Sequence, residues 1–230
     1  MQKMILSGTP PINIVLKRSA RARRMSLRVS RLDGRVTLSL PRGLAEREAR
    51  EFLSDMEDWI RKHLAEQPET VVVAVGCRLA YEGRVLTVVS GAGRVARAEA
   101  DQLIVPGHED TAARRVRAFM KFRARINLRQ ASDEFSAQLG RPCGRLSLRD
   151  TRSRWGSCSS EGNLMFSWRL IMAPPDVLRY VAAHEVAHLA EMNHSAAFWR
   201  VVAQICPDYA APRAWLRKNG QTLHRYRFTD

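Results

Sequence analysis

The stretch His184-Glu185-Val186-Ala187-His188 constrains this chain more than any other five residues in it. On an α-helix two imidazoles four positions apart lie one turn above each other on a single face, so both can reach one ion. The flanking pattern agrees: Val177, Leu178, Val181, Ala182, Val186 and Leu189 recur at helical spacing. Pro174-Pro175-Asp176 stands where such a helix would begin, because its first N–H groups have no intrahelical partner to lose. Such a helix offers both rings to one cation, and Glu185 can reach toward that cation without holding it. By chance the pattern arises in on the order of one chain in a hundred of this length. Neutral imidazoles suit zinc, so the expectation is one Zn2+ per chain.

A hydrolytic zinc site takes three protein ligands and leaves a fourth position for water. His194 is the expected third ligand. On an unbroken helix it would lie roughly 9 Å further along the axis than His188, so the helix must stop and the chain fold back. Asn193 tolerates the left-handed conformation that such a stop uses. The carboxylates of Glu191 and Asp208 are the competing third ligands. Glu185 occupies the position of a general base, taking a proton from the attacking water and returning it to a leaving amine. Tyr180, one turn before His184, and Arg152 or Arg154 are candidates to contact substrate or the developing oxyanion, although Tyr180 fits a packed helix core equally well. Cys158 reads as a packed thiol, since a fourth protein ligand would close the water position. Trp155 and Trp199 read as core anchors, Gly156 as a bulge or a close backbone approach, and Ser195 as a helix cap.

Elsewhere the chain alternates β-type and helical patterns, which predicts an α+β fold. Met25, Leu27 and Val29 alternate with polar residues, as do Val36, Leu38 and Leu40, with Asp33-Gly34 between them. That reads as a hairpin with a two-residue turn, pairing Leu27 with Leu40 and Val29 with Leu38. One helix is expected from Ala45 to Leu64, and β-like runs broken by glycines fill 71–105. A soft boundary near 108 divides a β-rich region, 1–108, with a basic arm and one helix, from a second region, 109–230. The latter opens on a long amphipathic helix over 109–139 with a basic stripe of Arg114, Lys121, Arg125 and Arg129. Two strands follow, Leu146–Trp155 and Leu164–Leu170, the second expected to be an edge along which an extended peptide could add.

The formal net charge is +15, and it is localised. Residues 1–35 carry nine Lys/Arg against one acid, and residues 111–154 carry twelve against three. The metal motif sits in 155–230, which has eight Lys/Arg and six acids and is nearly neutral. Residues 17–35 and 111–154 are therefore the candidate contacts for nucleic acid or another polyanion, although no DNA-binding motif accompanies them. No apolar run approaches the ~18 residues of a membrane span, so no membrane is expected as partner. Neither is a secretory leader. Four scattered cysteines with no C-x-x-C pair fit reduced thiols and a cytoplasmic location.

Beyond the His motif, the chain carries Arg154-Trp155-Gly156-Ser157-Cys158-Ser159 upstream of it and Asn193-His194-Ser195 with Phe198-Trp199 downstream. An Arg-rich turn, a hairpin and a helix holding Trp59-Ile60-Arg61-Lys62 precede them. Together these resemble the YgjP-like metallopeptidase family, over about residues 12 to 225. The resemblance implies a zincin-like catalytic half of backing helix, small antiparallel sheet and His-motif helix. It also implies zinc held by His184, His188 and His194, with Glu185 as base and a peptide or protein as substrate. Two other functions stand beside that one. Some family members are labelled nucleoside triphosphate pyrophosphatases, and the basic segments would suit a protease that works on nucleic-acid-bound proteins.

Overall fold

The computed structural model describes residues 2–30, 34–66 and 69–228. Its contacts divide the chain into two units, Met1–Glu69 and Thr70–Asp230.

In the first unit, strands β1 (Gln2–Leu6), β2 (Ile12–Ser19), β3 (Ser26–Val29) and β4 (Val36–Pro41) form one sheet in the order β1-β2-β4-β3. Helices α1 (Glu46–Asp55) and α2 (Glu57–Ala65) follow, and Ala49, Leu53 and Ile60 share a core with Ile14, Leu38 and Leu40. The single helix expected here bends at Met56, whose φ of −97° and ψ of 7° depart from helical values. The hairpin is present, but its register is shifted by two residues: Leu27 pairs with Leu38 and Val29 with Val36. The connection is longer than a two-residue turn, with Ser30 N–H donating to Arg35 O at 2.9 Å. A slip of two keeps each side chain on its face, which is why the apolar pattern could not distinguish the registers. Asp33 of the expected turn, like the rest of 31–33, lies outside the described residues.

The second unit holds β5 (Val71–Val72), β6 (Arg78–Tyr81), β7 (Arg84–Ser90), β8 (Arg97–Glu99) and β9 (Gln102–Val105), the last four forming a sheet of order β6-β7-β9-β8. Leu79, Leu86 and Leu103 of that sheet are fully buried in one core with Val116 and Met120 of α3 (Ala112–Leu139). For this reason the packing divides after residue 69, whereas the soft sequence boundary near 108 falls inside the second unit. Gly140, with φ of +68°, ends α3 in the left-handed conformation open to glycine.

Three short strands come next: β10 (Leu146–Arg149), β11 (Gly156–Cys158) and β12 (Leu164–Ser167). The expected strand over 146–155 is interrupted, because Thr151 Oγ1 donates to Arg154 O at 2.8 Å and turns the chain. β11 and β12 form an antiparallel hairpin, and β10 pairs parallel to the far side of β12, so this sheet is mixed. β12 is therefore its central strand and not the expected edge; β10 and β11 are the edges. A 3₁₀ turn over Trp168–Met172 leads into α4 (Pro175–Ala187), followed by α5 (Ala196–Ile205), α6 (Ala210–Asn219) and β13 (Tyr226–Arg227), which pairs with β5. Arg169, almost fully buried, fastens this closing segment, donating to Leu223 O at 3.0 Å and Tyr226 O at 3.1 Å while paired with Asp150 at 2.6 Å. No helix among the described residues is long and apolar enough to cross a membrane.

Candidate metal centre

α4 is buried on nearly every side, packed against α3, β11, α5 and α6. That burial explains its apolar composition and fixes where its few polar side chains aim. His188 is its C-terminal cap residue, and the next bonds, Leu189 N to Val186 O and Ala190 N to Ala187 O, tighten into a turn. The chain then folds back. Ser195 caps α5, its Oγ accepting from Phe198 N at 3.4 Å, and His194 immediately precedes that cap. The reversal differs from the one expected. Asn193 is not among the described residues with positive φ; instead its Oδ1 accepts from Ser195 N at 3.1 Å, turning the chain through its side chain.

His184, His188 and His194 come together, with one ring nitrogen of each lying within 4.8 Å of the others. The Nε2 atoms of His184 and His194 are 3.0 Å apart. Two nitrogens on one tetrahedral zinc, at bonds near 2.0–2.1 Å, lie roughly 3.3 Å apart, so the donor set and spacing fit that ion. His188 Nδ1 stands 3.0 Å from Glu191 O, an arrangement that places the proton on Nδ1 and leaves Nε2 free to coordinate. Glu191 thus enters the site through its backbone carbonyl; among the described residues neither its carboxylate nor that of Asp208 joins the group. Burial, reinforced by the other two imidazoles and Arg213, pushes His184 down to about 4. Burial also lowers His188. Both shifts favour the neutral imidazole, the form that binds metal. Phe198, wholly buried, supports all three rings, with centroids 4.9, 4.5 and 4.8 Å from those of His184, His188 and His194.

Glu185 is only 5% exposed. Burial pushes its carboxyl up to about 8, opposed by the charge of Arg154. The backbone of β11 passes directly over it: a Cβ at Gly156 would sit 2.5 Å from Glu185 Oε1. Only glycine leaves this space, which is the close approach expected of Gly156. Cys158, further along β11, is driven up to about 11 by burial and then by Glu185, so it stands as a protonated thiol outside the histidine group.

A cleft of about 600 Å³ opens over these residues, lined by Arg154, β11, Tyr180, the three histidines and Met192 among others. Of the three expected substrate contacts, Tyr180 and Arg154 line it and Arg152 does not; the charge of Arg152 acts instead on His224. A second hollow of about 540 Å³ shares Tyr180, His184 and His194 and is bounded by Trp199 and Arg213. Here sequence reasoning missed a wall. Trp199 stacks on Tyr209 at 5.6 Å, Tyr209 on Tyr180 at 6.4 Å, and Arg213 lies 4.3 Å over Trp199. Trp199 is half-buried and faces the site, more than the core anchor it was expected to be. Tyr209 and Arg213 carried no local signal, since they reach the site only through the packing of α6 on α4.

The family described as YgjP-like, metallopeptidase domain, matches residues 23–219. The chain belongs to the YgjP-like metallopeptidase family. It is accordingly a hydrolase, and the YgjP-like match takes in every residue of the centre described above. Among curated proteins nothing matches it. The crystal structure of the metallopeptidase zymogen of Pyrococcus abyssi abylysin is similar to this YgjP-like chain over 41% of its length and 93% of the abylysin chain, with 22% identity and a TM-score of 0.36. At that score the likeness decides nothing further about the site.

Proposed function

We propose that this metallopeptidase is zinc-dependent, with His184, His188 and His194 holding the ion and Glu185 acting as general base in peptide-bond hydrolysis. The observation that carries the reading is the convergence of three imidazoles beside one buried carboxylate at the floor of a cleft. When bound, zinc supplies Lewis acidity toward the attacking water and the scissile carbonyl. Glu185 takes the proton of that water and delivers it to the leaving amine. A raised carboxyl affinity for protons suits both halves of this transfer, and Arg154 keeps the charged form accessible. The backbone of Gly156 confines the carboxylate to one position, and Glu191 O holds the ring of His188. Tyr180 and Arg154 are the groups that contact substrate at the oxyanion side.

Substrate lies extended along β11, the edge strand that lines the cleft, and is held mainly through its backbone. Sequence preference is therefore broad. The pyrophosphatase alternative draws little support: among the described residues no trio of carboxylates gathers to hold Mg2+. Zinc-loaded protein, incubated in parallel with casein and with a panel of nucleoside triphosphates, tests the assignment. Cleaved casein and intact triphosphates are expected; the converse would reverse the assignment.

A further inference from the structure

The metal centre leaves the excess of positive charge unused, and one cavity outside it gathers that charge. A cleft of about 730 Å³ lies between the β8 side of the four-stranded sheet and α3, and it shares no lining residue with the metal cleft. Its floor is apolar and aromatic: Tyr81, Phe119 and Phe122, the last 63% exposed. Five arginines surround that floor, against one acid, Glu82.

Two of the five are neutralised. Arg97 pairs with Glu99 at 2.6 Å, and Arg123 with Glu82 at 3.7 Å. Arg84 donates to Ala100 O and lies 5.7 Å over the Tyr81 ring, without an acidic partner among the described residues. Arg94 is exposed and has no ion pair among the described residues. Arg115 also lines the cleft, its buried Nε without a hydrogen-bond partner among the described residues. Three of the five lining arginines therefore have no acidic partner among the described residues.

The charge continues beyond the cleft. Between 112 and 129, α3 carries seven Lys/Arg and no acid. Arg115, Phe119, Phe122 and the exposed Ile126 run along one line of the helix, with Arg114, Lys121 and Arg125 on the adjacent line. From 114 to 125 that track spans roughly 17 Å. A single small anion would leave most of it empty, whereas a polyanion with repeated charges would occupy it.

We propose that this cleft and the adjoining face of α3 bind single-stranded nucleic acid, its bases stacking on Phe122 and Phe119 while Arg84, Arg94, Arg115 and the helix cations hold phosphates. Guanidiniums match phosphate oxygens in pairs, and exposed aromatic faces beside a cationic groove accept any base. An acidic peptide fits less well. The strand edge at the cleft, β8, stops at Glu99, and Ala100 after it has a φ of +49°, which breaks the extended backbone that an added strand would pair with. The proposal is independent of the chemistry assigned to the histidines.

The test is fluorescence anisotropy of a labelled oligothymidylate of about fifteen nucleotides, titrated with the full chain between roughly 50 and 200 mM salt. Binding should weaken steeply with salt. Arg94→Ala should lower the slope of log K against log salt by about 0.7, and Arg94→Ala with Arg115→Ala by about 1.4. Phe122→Ala should weaken binding by about tenfold with the slope unchanged, which separates stacking from charge. Arg94 and Phe122 are exposed, so neither single variant threatens the fold. Absence of binding at the lowest salt, or variants that bind as wild type, would overturn the proposal. Equal competition by a polyglutamate would overturn it in favour of an acidic-peptide surface.

Discussion

Gly156 and Glu185 occupy one space: a side-chain carbon on the strand residue would stand 2.5 Å from the carboxylate oxygen of the helix residue. The glycine therefore sets where the carboxylate proposed as general base sits. Gly156→Ala should push Glu185 aside while leaving the histidines in place. Displacement by about 1 Å costs on the order of a hundredfold in rate. Peptidase assays on zinc-loaded variant protein, with zinc content measured alongside, check this. Normal activity would separate the close approach from catalysis.

Asn193 is expected to act through His194. Its Oδ1 bond to Ser195 N makes the reversal that brings the third imidazole back. In Asn193→Ala that turn loosens, and zinc affinity should fall on the order of tenfold, as for other groups that orient a ligand. Competition against a chelating indicator measures it. Ser195→Ala, which removes the α5 cap, should lower stability by about 1 kcal/mol.

Arg169 is the strongest stability prediction. It is buried, paired twice to Asp150 and bonded to two carbonyls of the closing segment. Truncation to Ala leaves those acceptors without partners and should cost about 3 kcal/mol, read as a shift of the urea midpoint. A change within error would mean that water replaces the guanidinium without loss.

His224 gives a pH dependence. Burial, with the charge of Arg169 opposing protonation, pushes it down to about 4 from an ordinary 6.5. Between those values the unfolded chain takes up a proton that the folded chain refuses. Stability contributed by the neutral ring is thus complete above pH 6.5 and falls as the pH drops toward 4. His184 and His188 add the same sign in metal-free protein. Denaturation of metal-free His224→Gln at pH 7 and pH 5 should show a smaller loss than wild type; an equal loss would remove His224 from the account.

Much of the site was legible because its signals are local. The i, i+4 spacing needs a helix, Pro175 opens it, and Ser195 starts the next one with His194 beside it. Gly156 was legible as a close approach, though its partner was not. The features that escaped depend on contacts between distant segments. β10 pairs parallel to β12 across the intervening hairpin, and no alternation within 146–155 encodes that. Likewise Tyr209 and Arg213 join the site only because α6 lies on α4. The hairpin register slipped by two for a related reason, since both registers bury the same face and only the connection tells them apart.

The central claim is that Glu185 moves the proton in peptide hydrolysis at a histidine-held zinc. The most direct measurement is turnover of a peptide substrate by the Glu185→Gln variant carrying about one zinc per chain. The account predicts a fall in rate on the order of a hundredfold or more, with the metal retained. Turnover equal to wild type by that zinc-loaded variant would contradict it.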